Sequence, residues 1–262
     1  MNYSIVSELG KGGHGIVYLA IDNRNGEKVA LKQVNMVNPN ILSELQVATT
    51  IVGSNCSPYV ICYKESFAEN GKAYIAMDYI EGPTVMEYTQ PLRILAMTET
   101  LVLAARNLTL AMLYGLKFIH SQGIIHNDIK PSNIVVGSNR IPILVDFGIS
   151  CNSLPQYSQC CLKNNGTSIY LPPEALQVYR CDKSDLWSLG STIYSIVNGT
   201  NMWGLDQSNP DLTKQVLTKL KNKVQPFKLN TSNLLLNEVI NNFLIYDINS
   251  RMGVDQAISI LN

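Results

Sequence analysis

Net charge is the first thing this chain lacks. Twenty Lys and Arg are matched by twenty Asp and Glu, and only 15% of its 262 residues are charged. A neutral balance supplies no global field for nucleic acid or an anionic membrane, so neither is expected as a partner. Histidine is scarce, at three residues, and the six cysteines (Cys56, Cys62, Cys151, Cys160, Cys161 and Cys181) form no C-x-x-C pair. A zinc site is therefore not expected. Met1 to Ile5 hold no basic stretch followed by an apolar run, so no secretory signal is expected. Asn2 stands where N-myristoylation would need glycine. These absences predict an intracellular, cytoplasmic protein with reduced thiols, made in place or delivered into a host cell's cytoplasm. The longest apolar stretch, Leu101 to His120, is interrupted by Arg106, Asn107 and Lys117, which predicts a buried helix and no membrane span. Internal repeats and low-complexity linkers are also lacking, so one domain over residues 1–262, with no appended regulatory domain, is expected.

Apolar material is plentiful, at 46% of residues, enough for a sizeable core. The first third reads as a β-meander. Tyr3 to Leu9 and Ile16 to Ile21 are rich in β-branched and aromatic residues. Asn25-Gly26 is a strong hairpin signal, and Val29 opens a third strand. Ile41 to Ile51 has apolar residues at helical spacing just after Pro39. Val60 to Phe67 and Ala73 to Met77 predict two more strands joined through Glu69-Asn70-Gly71. After Gly82-Pro83 the pattern changes. Thr98 to Ser121 predicts a long apolar helix, Ile134–Val136 and Ile143–Val145 a short hairpin, and Pro172 onward helices and loops. The expected class is α+β: a small β-rich lobe with one helix (1–80) and a larger, mainly helical lobe (81–262).

Three groups of residues carry chemistry. Gly10-Lys11-Gly12-Gly13-His14-Gly15-Ile16-Val17 contains G-x-G-x-x-G. A dinucleotide fold would need a helix after these glycines, and a strand follows instead; the P-loop pattern is also absent. A glycine loop between antiparallel strands suits a flap whose backbone N–H groups approach phosphates without Cβ obstruction. Lys32 ends the run Val29-Ala30-Leu31-Lys32. His126-Asn127-Asp128-Ile129-Lys130-Pro131-Ser132-Asn133 is followed by Asp146-Phe147-Gly148. Together they offer carboxylates, ammonium groups and an amide that can hold a hydroxyl, a phosphate and hard metal ions.

With these motifs the chain resembles the eukaryotic-type protein kinases, and the resemblance extends over essentially its whole length. It implies a bilobal fold binding ATP and Mg²⁺. Lys32 would contact the phosphates, fixed by Glu44 of the small-lobe helix. Asp128 would orient the substrate hydroxyl, Lys130 would stabilise the transferring phosphoryl group, and Asn133 and Asp146 would ligate the metal. Gly10, Lys11, Gly12, Gly13 and Gly15 would cover the phosphates. Val17 and Ala30 would roof the adenine and Val135 floor it. Met77 would control the back pocket, and Asp78 to Ile80 would form the hinge. Phe147, His126, Tyr63 and Ala48 would stack as an apolar column between the lobes.

Lys130-Pro131-Ser132-Asn133 is similar to the serine/threonine class. Gly166-Thr167-Ser168-Ile169-Tyr170-Leu171-Pro172-Pro173-Glu174 is similar to G-T-x-x-Y-x-A-P-E, with Pro172 replacing alanine. Thr167 would then contact Asp128 and Lys130, Asp185 would hold the catalytic-loop backbone, and Glu174 would pair with Arg251. The expected partner is a protein substrate bearing Ser or Thr. The chief departure is Asn127, which stands where most members carry an arginine that binds a phosphorylated activation loop; Asn40 is similarly neutral. Catalysis independent of loop phosphorylation is the expectation, with Ser150, Ser153, Tyr157, Ser158 and Ser168 as modifiable hydroxyls. The alternative is a pseudokinase-like nucleotide-binding scaffold, which retention of Lys32, Asp128 and Asp146 argues against.

Overall fold

The computed structural model describes residues 2–12, 15–34, 41–153, 160–162, 166–177 and 179–262. Met1, Gly13, His14, Pro39, Asn40, Tyr157 and Ser158, named above, lie outside them.

The small lobe is an antiparallel sheet of five strands: β1 (Tyr3–Gly12), β2 (Gly15–Asp22), β3 (Lys28–Val34), β4 (Tyr63–Glu69) and β5 (Lys72–Asp78), in the order β1-β2-β3-β5-β4. The two hairpin signals act as read. Gly26 adopts φ 79° in the β2–β3 turn. Asn70 and Gly71, at φ 51° and 73°, form the two-residue β4–β5 loop, whose twist requires positive φ at both positions. Helix α1 (Ile41–Thr50) packs on β4 and buries Glu44, Val47 and Ala48. The fourth strand starts later than expected. Val60 bridges to Leu144, and Ile61 N–H donates to the Leu144 carbonyl at 2.9 Å, so this apolar pair joins the large lobe before the chain turns into the sheet.

The crossing to the large lobe is tight. A Cβ on Gly82 would lie 1.9 Å from the Val136 carbonyl oxygen, so only glycine fits there. Helix α2 (Val85–Ile94) follows, capped by Thr84 and Glu87 in a reciprocal capping box. Helix α3 (Thr98–Ser121) is long and apolar enough to cross a bilayer, yet it buries Leu101, Val102, Leu108, Met112, Leu116 and Ile119 in the core. Short strands β6 (Ile124–Ile125), β7 (Ile134–Val136), β8 (Pro142–Leu144) and β9 (Cys151–Asn152) then flank the cleft. Strand β10 (Cys160–Leu162) pairs with β11 (Tyr179–Cys181), a strand inside the region read as helices and loops alone. Helices α4 (Asp182–Asn198), α5 (Leu212–Lys221), α6 (Leu234–Phe243) and α7 (Val254–Leu261) complete the lobe.

Helix α4 is buried along nearly its whole length, from Ser184 to Ile196. A helix buried all round must satisfy its polar side chains internally. It does so by reaching out to neighbouring segments. Ser188 Oγ donates to the Tyr170 carbonyl at 2.9 Å, Ser191 Oγ to the Ile169 carbonyl at 3.1 Å, and Thr192 Oγ1 to the Ile129 carbonyl at 3.2 Å.

The cysteines depart from the expected reduced state. Cys56 and Cys62 form a disulfide, and Cys151 and Cys181 are disulfide-bonded as well. The physical reason at the first pair is local closure. Tyr63 N–H donates to the Ile51 carbonyl at 3.0 Å, which folds the α1–β4 connection back on itself and leaves the two Cα atoms 5.5 Å apart. That spacing lies inside the range a disulfide needs.

Candidate active site between the lobes

A cavity of about 470 Å³ opens where the sheet faces the large lobe. Its glycine-rich edge is the β1–β2 turn, where Gly10, Lys11, Gly12 and Gly15 line the cavity. Gly15 has φ 137°, and a Cβ there would lie 2.1 Å from the Gln33 carbonyl oxygen; neighbouring β3 therefore demands glycine. Val17 and Ala30 lie above the slot, Val135 opposite, and Met77, Asp78 and Ile80 at the link between lobes.

Lys32 is brought to this cavity by β3, and it is 4% exposed. Its Nζ lies 2.5 Å from Glu44 Oε1 on α1 and 3.0 Å from Asp146 Oδ1 in the large lobe. Burial pulls the Lys32 ammonium down, but Asp146 and Glu44 outweigh it, and the net direction is upward. Asp146 adopts φ 62°, an uncommon conformation for a residue with a side chain. That turn keeps its carboxylate on the cavity, while Phe147 is fully buried on the other side. Phe147 packs edge-on against His126 (ring centroids 4.7 Å apart) and Tyr63 (6.3 Å). With Ala48, also buried, this is the expected apolar column.

Below it lies a closed hydrogen-bond cluster. Asp128 Oδ1 accepts from Thr167 Oγ1 at 2.8 Å and from Thr167 N–H at 3.1 Å. Asp128 Oδ2 accepts from Lys130 Nζ at 2.6 Å and from Asn133 Nδ2 at 3.1 Å. Lys130 Nζ also donates to Thr167 Oγ1 at 2.9 Å. Asn133 Nδ2 further donates to the Asp128 carbonyl, so the amide oxygen is the group it can offer the cavity. His126 Nδ1 accepts from Asp128 N–H at 3.2 Å and its Nε2 lies 3.1 Å from the Val145 carbonyl. Those partners make Nδ1 the acceptor and Nε2 the donor of the ring.

The whole loop hangs from α4. Asp185, fully buried, accepts from His126 N–H and Asn127 N–H, each at 2.9 Å, and lies 2.9 Å from His120 Nε2. Glu174 and Arg251 meet in a bidentate pair at 2.7 and 2.9 Å. Burial raises the Glu174 carboxyl, but its hydrogen bond and charge attraction to Arg251 reverse the direction to downward.

The proposed site residues among those described line the cavity, except Asp128, Lys130 and Thr167, which connect to it through the Asn133–Asp128 hydrogen bond; Gly13 is outside the described residues. The sequence reading missed the α4 hydroxyls Ser188, Ser191 and Thr192. Their signal was a polar stripe at helical spacing through an otherwise apolar helix.

The donor chemistry fits a hard divalent cation. An amide oxygen from Asn133 and a carboxylate from Asp146, 37% exposed to the cavity, are oxygen ligands. Among the described residues no group of three or more His, Cys, Asp and Glu could hold a metal by itself.

An antiparallel-sheet lobe set over a helical lobe, with lysine and carboxylates meeting at the crevice, defines a phosphate-handling cleft. The chain belongs to the protein kinase domain family, whose model matches residues 3–260, and it has that family's bilobal α+β fold. It is 31% identical over 200 residues to the mouse (Mus musculus) serine/threonine-protein kinase Nek5, covering 74% of this chain and 30% of that protein. It is 29% identical over 202 residues to MAP3K epsilon protein kinase 1 of Brassica napus (74% and 15%) and 28% identical over 205 residues to serine/threonine-protein kinase fray1 of Dictyostelium discoideum (75% and 34%). The chain thus matches about a third or less of each relative's length.

Proposed function

We propose that this chain is an active serine/threonine protein kinase domain that transfers the γ-phosphoryl group of ATP to protein hydroxyls with Mg²⁺. The observation that carries this reading is the meeting of Lys32 with both Glu44 and Asp146, which draws three charged groups from three elements to one point of the cleft. Phosphoryl transfer asks mainly for alignment and neutralised charge. In this reading Lys32 holds the phosphates and Asn133 and Asp146 would hold Mg²⁺. The metal would neutralise charge developing on the phosphate oxygens. Asp128, fixed by Thr167, Lys130 and Asn133, orients the acceptor hydroxyl, and Lys130 faces the transferring group. Val17, Ala30 and Val135 sandwich the base, with Met77, Asp78 and Ile80 at its edge.

Independence from loop phosphorylation is part of the same proposal. Asn127 adopts φ 69°, which asparagine tolerates well. Its Nδ2 donates to the Ile149 carbonyl at 3.2 Å and lies 2.9 Å from Cys151 Sγ. Neutral contacts thereby tie the start of the activation segment to the catalytic loop, without a phosphate. Ser150 is fully buried and donates to the Phe147 carbonyl, which removes it from the modifiable hydroxyls.

The test is a radiolabelled-ATP assay on a generic protein substrate, with Asp146→Asn as control. Label on serine and threonine from the unaltered chain alone is the expected result. Equal signal from both proteins would refute the proposal.

A further inference from the structure

Arg180 is among the largest fully buried side chains, at 1% exposure. Its Nη1 donates to the Tyr179 carbonyl at 3.2 Å, while Nε and Nη2 are buried with no hydrogen-bond partner among the described residues. An unpartnered buried guanidinium is costly, so its position calls for a compensating interaction. The surroundings supply one. Cys181 caps α4, which puts Arg180 one residue before the cap and Asp185 at the fourth helical position. Residues so placed pack against each other at helix starts, usually as an apolar staple. Here those two positions hold a buried cation and a buried carboxylate. Glu174 already has Arg251 as its direct partner. The charges of Glu174 and Asp185 both act on Arg180, and Asp185 in turn holds the catalytic loop through the His126 and Asn127 amides. Burial pulls the Arg180 guanidinium below its ordinary value, and Glu174 and Asp185 oppose that pull. The amide oxygen of Asn127 is also buried without a hydrogen-bond partner among the described residues, and the Asn127 side chain carries no charge.

We propose that Arg180 is a positioning residue for phosphoryl transfer: from the start of α4 it supplies a permanent buried cation beside Asp185, where the catalytic loop carries neutral Asn127. The cation balances the carboxylate that grips the His126 and Asn127 amides, and that grip sets the placement of Asp128. This inference rests on the kinase reading above. It also gives that reading a physical basis for dispensing with a phosphate, because an interior charge needs no modification to arrive.

The experiment compares Arg180→Met, which keeps length and removes charge, with Arg180→Lys, which keeps charge. Two readouts are taken. Steady-state kinetics should show kcat reduced about ten- to hundred-fold in Arg180→Met, with KM for ATP unchanged because Lys32, Glu44 and Asp146 are untouched. Arg180→Lys should recover most of kcat. Hydrogen exchange of the peptide spanning residues 124–130 should quicken in Arg180→Met and stay near the unaltered rate in Arg180→Lys. A purely space-filling role would make the two variants equal in both readouts, and that outcome would overturn the proposal, as would unchanged exchange in Arg180→Met. If Arg180→Met gives no folded protein, Arg180→Gln against Arg180→Lys makes the same comparison. An unaltered chain without phosphotransfer would refute the kinase reading, and the exchange data would then judge Arg180 separately.

Discussion

Lys32 and Glu44 are twelve positions apart on different elements and meet at 2.5 Å, with side chains only 5% and 2% exposed. Asp146 closes on the same ammonium from the other lobe at 3.0 Å. A lysine stem is long and flexible, and two carboxylates restrict it to one place. Glu44→Gln keeps an oxygen acceptor and removes the charge that orients Nζ. We expect kcat to fall about 100-fold, with the circular dichroism spectrum retained. Undiminished turnover would remove Glu44 from the site.

Glu174 and Arg251 form a second buried pair, remote from the cavity. Breaking a buried pair from one side costs about 3 kcal/mol or more, because the remaining charge is left uncompensated. Glu174→Gln should therefore lower Tm by roughly 6–12 °C. The pH dependence has a definite sign. The folded Glu174 carboxyl is held below its ordinary value of 4.5. Its contribution is fully present above that value and is lost as pH falls through the lower folded value. Thermal melts of the unaltered chain should thus weaken on the acid side, and Glu174→Gln should flatten that limb. Identical acid limbs in the two proteins would contradict the assignment.

Asn127 makes its contacts through a neutral amide. Removing phosphate from the purified enzyme should leave the rate of substrate phosphorylation unchanged. A collapse of activity after phosphatase treatment, reversed by rephosphorylation, would show that a charged loop is required.

The Cys56–Cys62 disulfide closes a short loop between α1 and β4. Closing so short a loop contributes about 2 kcal/mol in the chain-entropy treatment. Cys56→Ser should lower Tm by roughly 4–8 °C, and reduction should lower it at least as far in the unaltered chain, because it also opens the disulfides at Cys151 and Cys181. Peptide mapping without reductant should recover the two cysteines in one linked fragment. Recovery of free thiols at both would disprove the bond.

Much of the site was legible because its residues sit in short runs. His126 to Asn133, Asp146 to Gly148 and Thr167 to Glu174 each carry several functional groups at fixed local spacing, and backbone geometry preserves that spacing on folding. The hairpins were legible for a similar reason, since Gly26 and Asn70-Gly71 take up positive φ readily whatever surrounds them. Val60 and Ile61 misled because an apolar β-branched pair says nothing about which lobe it joins; the Leu144 carbonyl decided that. The disulfides were missed because chain spacing alone gives no Cα separation. Arg180 was passed over because a lone arginine on a sequence is ordinarily a solvated charge.

Local sequence by itself determined most of the lobes' element types, the two hairpin turns and the candidate groups for handling phosphate. Those properties depend on neighbours along the chain. Tertiary structure decided which charges do meet: Lys32 with Asp146, 114 residues away, and Glu174 with Arg251. Burial fixed what those meetings are worth, because a charge removed from water must be answered by whatever the fold brings alongside it.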